Sequence, residues 1–132
     1  MKRISDSKRL PEDILRGAFI SGGSGECAWR KKDLLNVTEK LAAQQIMILG
    51  GEVWMVRDEK IHGMLMLRGQ DMSSVFGWTT REGPASEEWS IRCARSARET
   101  REALVVLDVE NSVNPADSDF LWYNLTLKWQ GE

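Results

Sequence analysis

Ile46-Met47-Ile48-Leu49-Gly50-Gly51-Glu52-Val53-Trp54-Met55-Val56 sets two short apolar runs on either side of a glycine pair, with a carboxylate opening the second run. Both runs read as strands, over 46–49 and 52–57. Adjacent glycines inside a buried-looking run serve either a turn or bulge that needs positive φ, or a place where other atoms approach too closely for a Cβ. Just upstream, Leu41 and Ala42 still follow a helical pattern. The local order is therefore helix, strand, glycine pair, strand.

Outward from that stretch, residues 27–44 carry apolar side chains at helical spacing. Ala28, Leu34, Leu35, Thr38, Leu41 and Ala42 make one stripe, and Arg30, Lys31, Lys32, Glu39 and Lys40 stay wet. Further upstream, residues 1–10 are polar and expected to be loose. Pro11 to Gly17 reads as a short helix, and Ser21-Gly22-Gly23-Ser24-Gly25 as a flexible loop. Downstream, Asp58-Glu59-Lys60 is a polar turn and Ile61 to Leu67 a strand, so a hairpin is expected. Arg68 to Gly83 is irregular.

Pro84 opens a second long helix reaching about Ala103. Its buried stripe is Trp89, Cys93, Ala97 and Leu104, beside Ala94, and its other faces pair Glu88–Arg92, Arg95–Glu99 and Arg98–Glu102. Residues 105–109 read as a strand and Asn111 to Asp119 as a loop. The end alternates: Leu121, Tyr123, Leu125, Leu127 and Trp129 point one way, Trp122, Asn124, Thr126 and Lys128 the other. The sum is one α+β domain over 1–132, with two main helices packed on a largely antiparallel sheet of about five strands.

Composition narrows the function. With 42% apolar and 29% charged residues in 132, the chain is of the globular class, not the disordered one. A net charge of −2 gives no electrostatic footprint for a nucleic-acid binder. No apolar run approaches membrane-spanning length, and Met1 to Asp6 lacks the apolar core of a secretory signal. Cys27 and Cys93 are far apart and in no CxxC arrangement, as expected of buried thiols in a reducing compartment. The expected location is the cytoplasm. The sequons at Asn36 and Asn124 carry no weight without a secretory route.

The chemical inventory is thin. His62, the single histidine, cannot build a histidine-rich metal site and reads better as an ordinary strand residue. A Ser–His–Asp or Cys–His pairing would also have to use it. Gly22-Gly23-Ser24-Gly25-Glu26-Cys27 lacks the lysine and Ser/Thr that a phosphate loop needs after its last glycine. Arg92, Arg95, Arg98 and Arg101 are offset by Glu87, Glu88, Glu99 and Glu102 on the same surface. Pairs such as Glu87/Glu88 or Asp58/Glu59 carry no specificity among twenty acids. No catalytic residue, cofactor or metal is indicated.

Leu49-Gly50-Gly51-Glu52-Val53-Trp54, following Leu41-Ala42-Ala43-Gln44-Gln45-Ile46, resembles immunity-protein family forty of bacterial polymorphic toxin systems. The resemblance spans roughly residues 10–105. It includes Ala28-Trp29 before the first long helix, Trp78 in a loop, and Trp89 after Glu87-Glu88 at the opening of the second helix. Met64 to Ser74 is more apolar than that pattern, and the terminal strand stands outside it. The resemblance implies a non-enzymatic protein that binds a cognate toxin domain, as a monomer or homodimer, with no cofactor.

For Gly50 and Gly51 a bulge or turn is the favoured reading. For Glu52, Trp54, Trp78 and Trp89, packing is favoured over direct partner contact. Acids that could meet a basic toxin surface are Asp58, Glu59 and Asp71, and, as a second patch, Asp108 and Glu110 with the loop acids Asp117 and Asp119. Two competing classes stay open. One is a small enzyme using carboxylates, which needs a concave pocket around Glu52 or His62. The other is a scaffold in which Trp122 helps add the terminal strand to a neighbouring sheet.

Overall fold

A computed structural model of the chain describes residues 4–62 and 76–132. Among these, six strands form one antiparallel sheet: β1 (Phe19–Ile20), β2 (Cys27–Trp29), β3 (Met47–Arg57), β4 (Lys60–His62), β5 (Gly77–Thr79) and β6 (Leu121–Lys128). The order is β1-β2-β6-β3-β4. One edge of β3 pairs with β6 from Met47 to Met55, and its other edge is shared by β5 at 50–52 and β4 at 55–57. Short helices α1 (Asp6–Arg9) and α2 (Glu12–Leu15) precede the sheet, and the long helices α3 (Lys31–Ala43) and α4 (Trp89–Val106) cover one face of it. The short helix α5 (Val109–Ser112) and a 3-10 turn over Ser118–Phe120 lead into β6. The α+β class, with two main helices on an antiparallel sheet, is as expected.

Alternation along β6 sets the core. Leu121, Tyr123, Leu125 and Leu127 face the helices with Ile48, Val53 and Met55 of β3, against Leu34, Val37 and Leu41 of α3 and Ala97 and Leu104 of α4. Each valine, leucine, isoleucine or methionine side chain among them contributes about 1.5–3 kcal/mol when fully buried. On the opposite face Ala28, Trp54 and Val56 form a smaller cluster under Phe19 and Trp122. Phe19 meets Trp54 edge-on, with ring centroids 6.5 Å apart.

Several expectations are corrected. The glycine pair does not separate two strands: β3 runs unbroken through it because both its edges are hydrogen-bonded there. The first long helix starts at Lys31, not Cys27, since residues 27–29 are drawn into the sheet against β6, where Ala28 and Trp29 are both fully buried. Residues 105–109 are not a strand. Helix α4 continues to Val106, and α5 begins at Val109.

Residues 4–10 are not loose throughout, because α1 forms and Leu10 enters the core. Ser21 to Gly25 closes the β1–β2 hairpin with a hydrogen bond from Ser21 N to Glu26 O at 2.8 Å. On α4, Trp89 is only half-buried and Ala94 is exposed, while Arg92, Ser96 and Thr100 are buried. Of the three expected helix ion pairs, Arg98–Glu102 forms at 3.6 Å. Arg95 instead takes Glu87, Glu99 takes Arg81, and Arg92 lies 3.9 Å from Glu82.

The expected hairpin is present, with Arg57 opposite Lys60 and Met55 opposite His62. Its expected continuation from Gly63 to Leu67, and Asp71, lie outside the described residues. The terminal strand is not an edge. β6 pairs with β3 from Leu121 to Lys128 on one side and with β2 at Tyr123 and Asn124 on the other, so around Trp122 it lies inside the sheet.

Candidate functional site

The glycine pair is explained by a parity problem. Ile48, Val53 and Met55 all face the helices, yet 48 and 53 have opposite parity on a regular strand. A register shift between Ile48 and Gly50 solves it: Ile48 pairs with Leu127 and Gly50 with Thr126, leaving Leu49 as the extra residue of a bulge. The groups freed at the bulge are satisfied from neighbouring elements. Ile48 N–H donates to Ser96 Oγ on α4 at 3.0 Å, and Thr80 Oγ1 donates to the Ile48 carbonyl at 2.5 Å. The Leu49 carbonyl accepts from Thr80 N at 3.0 Å.

Absence of side chains at 50 and 51 then admits Trp78. A Cβ on Gly50 would collide with the Trp78 carbonyl oxygen. One on Gly51 would collide with the Asn124 carbonyl oxygen and lie 2.5 Å from Trp78 Cη2. Lying across the strand, Trp78 reaches α4, where Nε1 donates to Thr100 Oγ1 at 3.3 Å.

The other tryptophans are anchored as well. Trp29 Nε1 donates to Ile14 O at 2.9 Å, and Trp89 Nε1 to Gln45 O at 2.7 Å, tying α4 to the turn between α3 and β3. Trp54 Nε1 donates to Glu52 Oε1 at 2.8 Å, two residues along the same side of the strand. Trp122 lies under the Arg30 guanidinium at 4.3 Å, and Trp129 under that of Arg9 at 3.9 Å.

On the sheet face away from the helices, the glycines floor a shallow depression of about 340 Å³, walled by Glu26, Glu52, Thr79 and Asn124. Asn124 Nδ2 is committed to Cys27 O at 2.9 Å. Around this floor the structure brings Gly50, Gly51, Glu52, Trp54 and Trp78 together, while Trp89 sits apart at the start of α4.

The acids fall at one end of the sheet. Met55 pairs with Leu121, so the β3–β4 turn emerges at the same end as the loop before β6. Asp58 and Glu59 are exposed at that turn, with φ of 51° and 64°. Asp108 is exposed and accepts from Asn111 Nδ2 at 2.9 and 3.0 Å. Glu110 is occupied by Lys31 Nζ at 3.2 Å and by the Tyr123 hydroxyl at 3.3 Å. Asp117 is buried and held by Arg57, while Asp119 is exposed and its backbone carbonyl takes Arg30 Nη1 at 2.6 Å.

The thiols are suppressed. Burial, helped by the carboxylates of Asp6 and Glu26, pushes Cys27 up to about 12, and burial, opposed by the Arg92 charge, pushes Cys93 up to about 11. Among the described residues no group of three or more His, Cys, Asp or Glu could hold a metal ion, and no helix is long and apolar enough to cross a membrane.

One surface escaped the sequence reading. Leu35, Val105 and Val106 are 60%, 84% and 81% exposed, beside a groove of about 270 Å³ between α3 and α4. Helical spacing assigned Leu35 to the buried stripe, and the β-branched pair suggested a strand. Spacing alone could not separate Leu34 from Leu35, because adjacent residues lie about 100° apart on a helix and both can fall within one stripe, as Val37 and Thr38 do on α3.

A family model described as Immunity protein 40 matches residues 19–116. The chain belongs to the immunity protein 40 family. The match starts at β1 and takes in both long helices, β3 with its bulge and the 58–59 turn. It stops before β6, although β6 is the strand that joins β2 to β3. No curated protein and no solved structure matches the chain.

Proposed function

We propose that this immunity protein 40 chain binds and neutralises a cognate toxin domain, catalysing nothing itself. The observation that carries this reading is the family match over residues 19–116. In this reading the chain is a single folded domain that works in the cytoplasm of a bacterium carrying a polymorphic toxin. The anchored tryptophans favour it indirectly, because side chains that lock elements together give a rigid surface, and pre-organisation lowers the ordering cost of binding.

The toxin-facing acids proposed are Asp58 and Glu59. They are exposed at a tight turn, and neither makes an ion pair among the described residues. Asp71, and Asp108 with Glu110, are the further candidates, Glu110 being already shared between Lys31 and Tyr123. Gly50, Gly51, Glu52, Trp54, Trp78 and Trp89 are proposed to shape the frame that presents these acids.

Co-expression with the toxin encoded beside this chain tests the reading. The expected result is that the two copurify and that cells survive a toxin dose that kills them without this chain. Survival unchanged by the chain, with no copurification, would overturn it.

A further inference from the structure

We infer that the glycine-floored depression on the open face of the sheet receives the cationic end of a lysine or arginine side chain of the toxin domain. This rests on the toxin-binding reading and adds to it a place and a chemistry. Glu26, Glu52, Thr79, Asn124 and Thr126 supply the polar lining of the depression. Strand pairing assembles it: Gly50 lies opposite Thr126 on β6 and Thr79 on β5, and Glu52 lies opposite Asn124. Glu26 precedes Ala28, the β2 partner of Asn124, by two residues and so falls on the same face.

Asn124 calls for a donor. It is 2% exposed, and its Nδ2 is spent on the Cys27 carbonyl at 2.9 Å, which turns Oδ1 the other way. That oxygen accepts no hydrogen bond among the described residues, and the side chain lines the depression. A buried acceptor is ordinarily paired, so this one marks a place for a donor. The two carboxylates are equally uncommitted. Glu52 holds only Trp54 Nε1, at 2.8 Å, and the Glu26 carboxylate only the Ser24 hydroxyl, at 3.3 Å. Neither makes an ion pair among the described residues, and no lysine, arginine or histidine among them lines the depression.

Two carboxylates and an open amide oxygen offer acceptors and negative charge together. An ammonium or a guanidinium satisfies both, because each carries only donors and a positive charge. The basin is too shallow to enclose a free small molecule as a ligand pocket does. A side chain delivered by an apposed protein surface needs no such enclosure. Beyond its place in the frame, Glu52 is then a direct contact, held in position by Trp54.

Titration calorimetry of the full chain against the catalytically inactive toxin domain encoded beside it tests the assignment. E26Q and E52Q remove the charge and keep the shape, and glutamine at 52 still offers Trp54 an acceptor. Each should weaken binding about tenfold, and the two together about a hundredfold with a shallower dependence on salt. Thermal midpoints should stay near that of wild type. T126K, at an exposed position opposite Gly50, plants a lysine in the depression from within and should weaken binding by roughly a hundredfold. Binding equal to wild type in either E26Q/E52Q or T126K would overturn the inference and leave toxin binding standing. A wild type that binds no toxin would overturn both.

Discussion

Gly51 shows most directly how single residues carry this fold. Its missing side chain leaves room for the Asn124 carbonyl oxygen and the Trp78 ring, neither of which can retreat without breaking the β3–β6 ladder or the Trp78–Thr100 hydrogen bond. Gly51→Ala should therefore cost about 1–3 kcal/mol, read as a lower urea midpoint. An unchanged midpoint would mean that Trp78 is free to move aside. The two buried thiols give a second residue-scale expectation. Their folded pKa values are raised above the ordinary value of 9.0, to about 12 for Cys27 and about 11 for Cys93. Their contribution to stability is then fully present below pH 9 and lost as pH rises through the folded values. Thermal melts should fall between pH 9 and about 11–12, and C27A/C93A should flatten that fall. Sequence alone showed that something unusual happens at 50–51. It could not separate turn from bulge, because the difference lies in two strands that pair there from distant positions, 77–79 and 121–128.

Among the elements, the β3–β4 hairpin is the one where stability and the proposed role pull apart. Asp58 and Glu59 both hold positive φ, a conformation that glycine and asparagine adopt most easily at two-residue turns. D58N/E59G should gain about 1 kcal/mol by relieving that strain. D58K/E59K should leave the melting midpoint nearly unchanged, yet weaken toxin binding and reduce its dependence on salt. Equal affinity and equal salt dependence in the lysine variant would remove this turn from the interface. The hairpin was legible because a polar break between two apolar runs is a local signal. The end of α4 was not. Val105-Val106-Leu107 has the composition of a strand, and the helix already under way decides otherwise.

For the whole molecule, the alternation of β6 announced a strand with one buried face, but its central position between β2 and β3 depends on pairing at sequence separations near 70–100 residues. That position makes the sheet depend on a strand beyond the segment the family model matches. The candidate toxin-binding acids were legible only as charges. Which of them stay exposed depends on partners such as Arg57 for Asp117 and Lys31 for Glu110.

Binding is the central claim, and titration calorimetry of the purified chain against the toxin domain encoded beside it tests this most directly, with a catalytically dead toxin used so that both proteins can be made. The account predicts a saturable one-to-one complex per chain with a Kd of about 1–100 nM, equivalent to roughly 10–12 kcal/mol. It also predicts that the same chain at that stoichiometry abolishes the activity of the live toxin. No heat of binding at any concentration, with the toxin still active in excess chain, would contradict it.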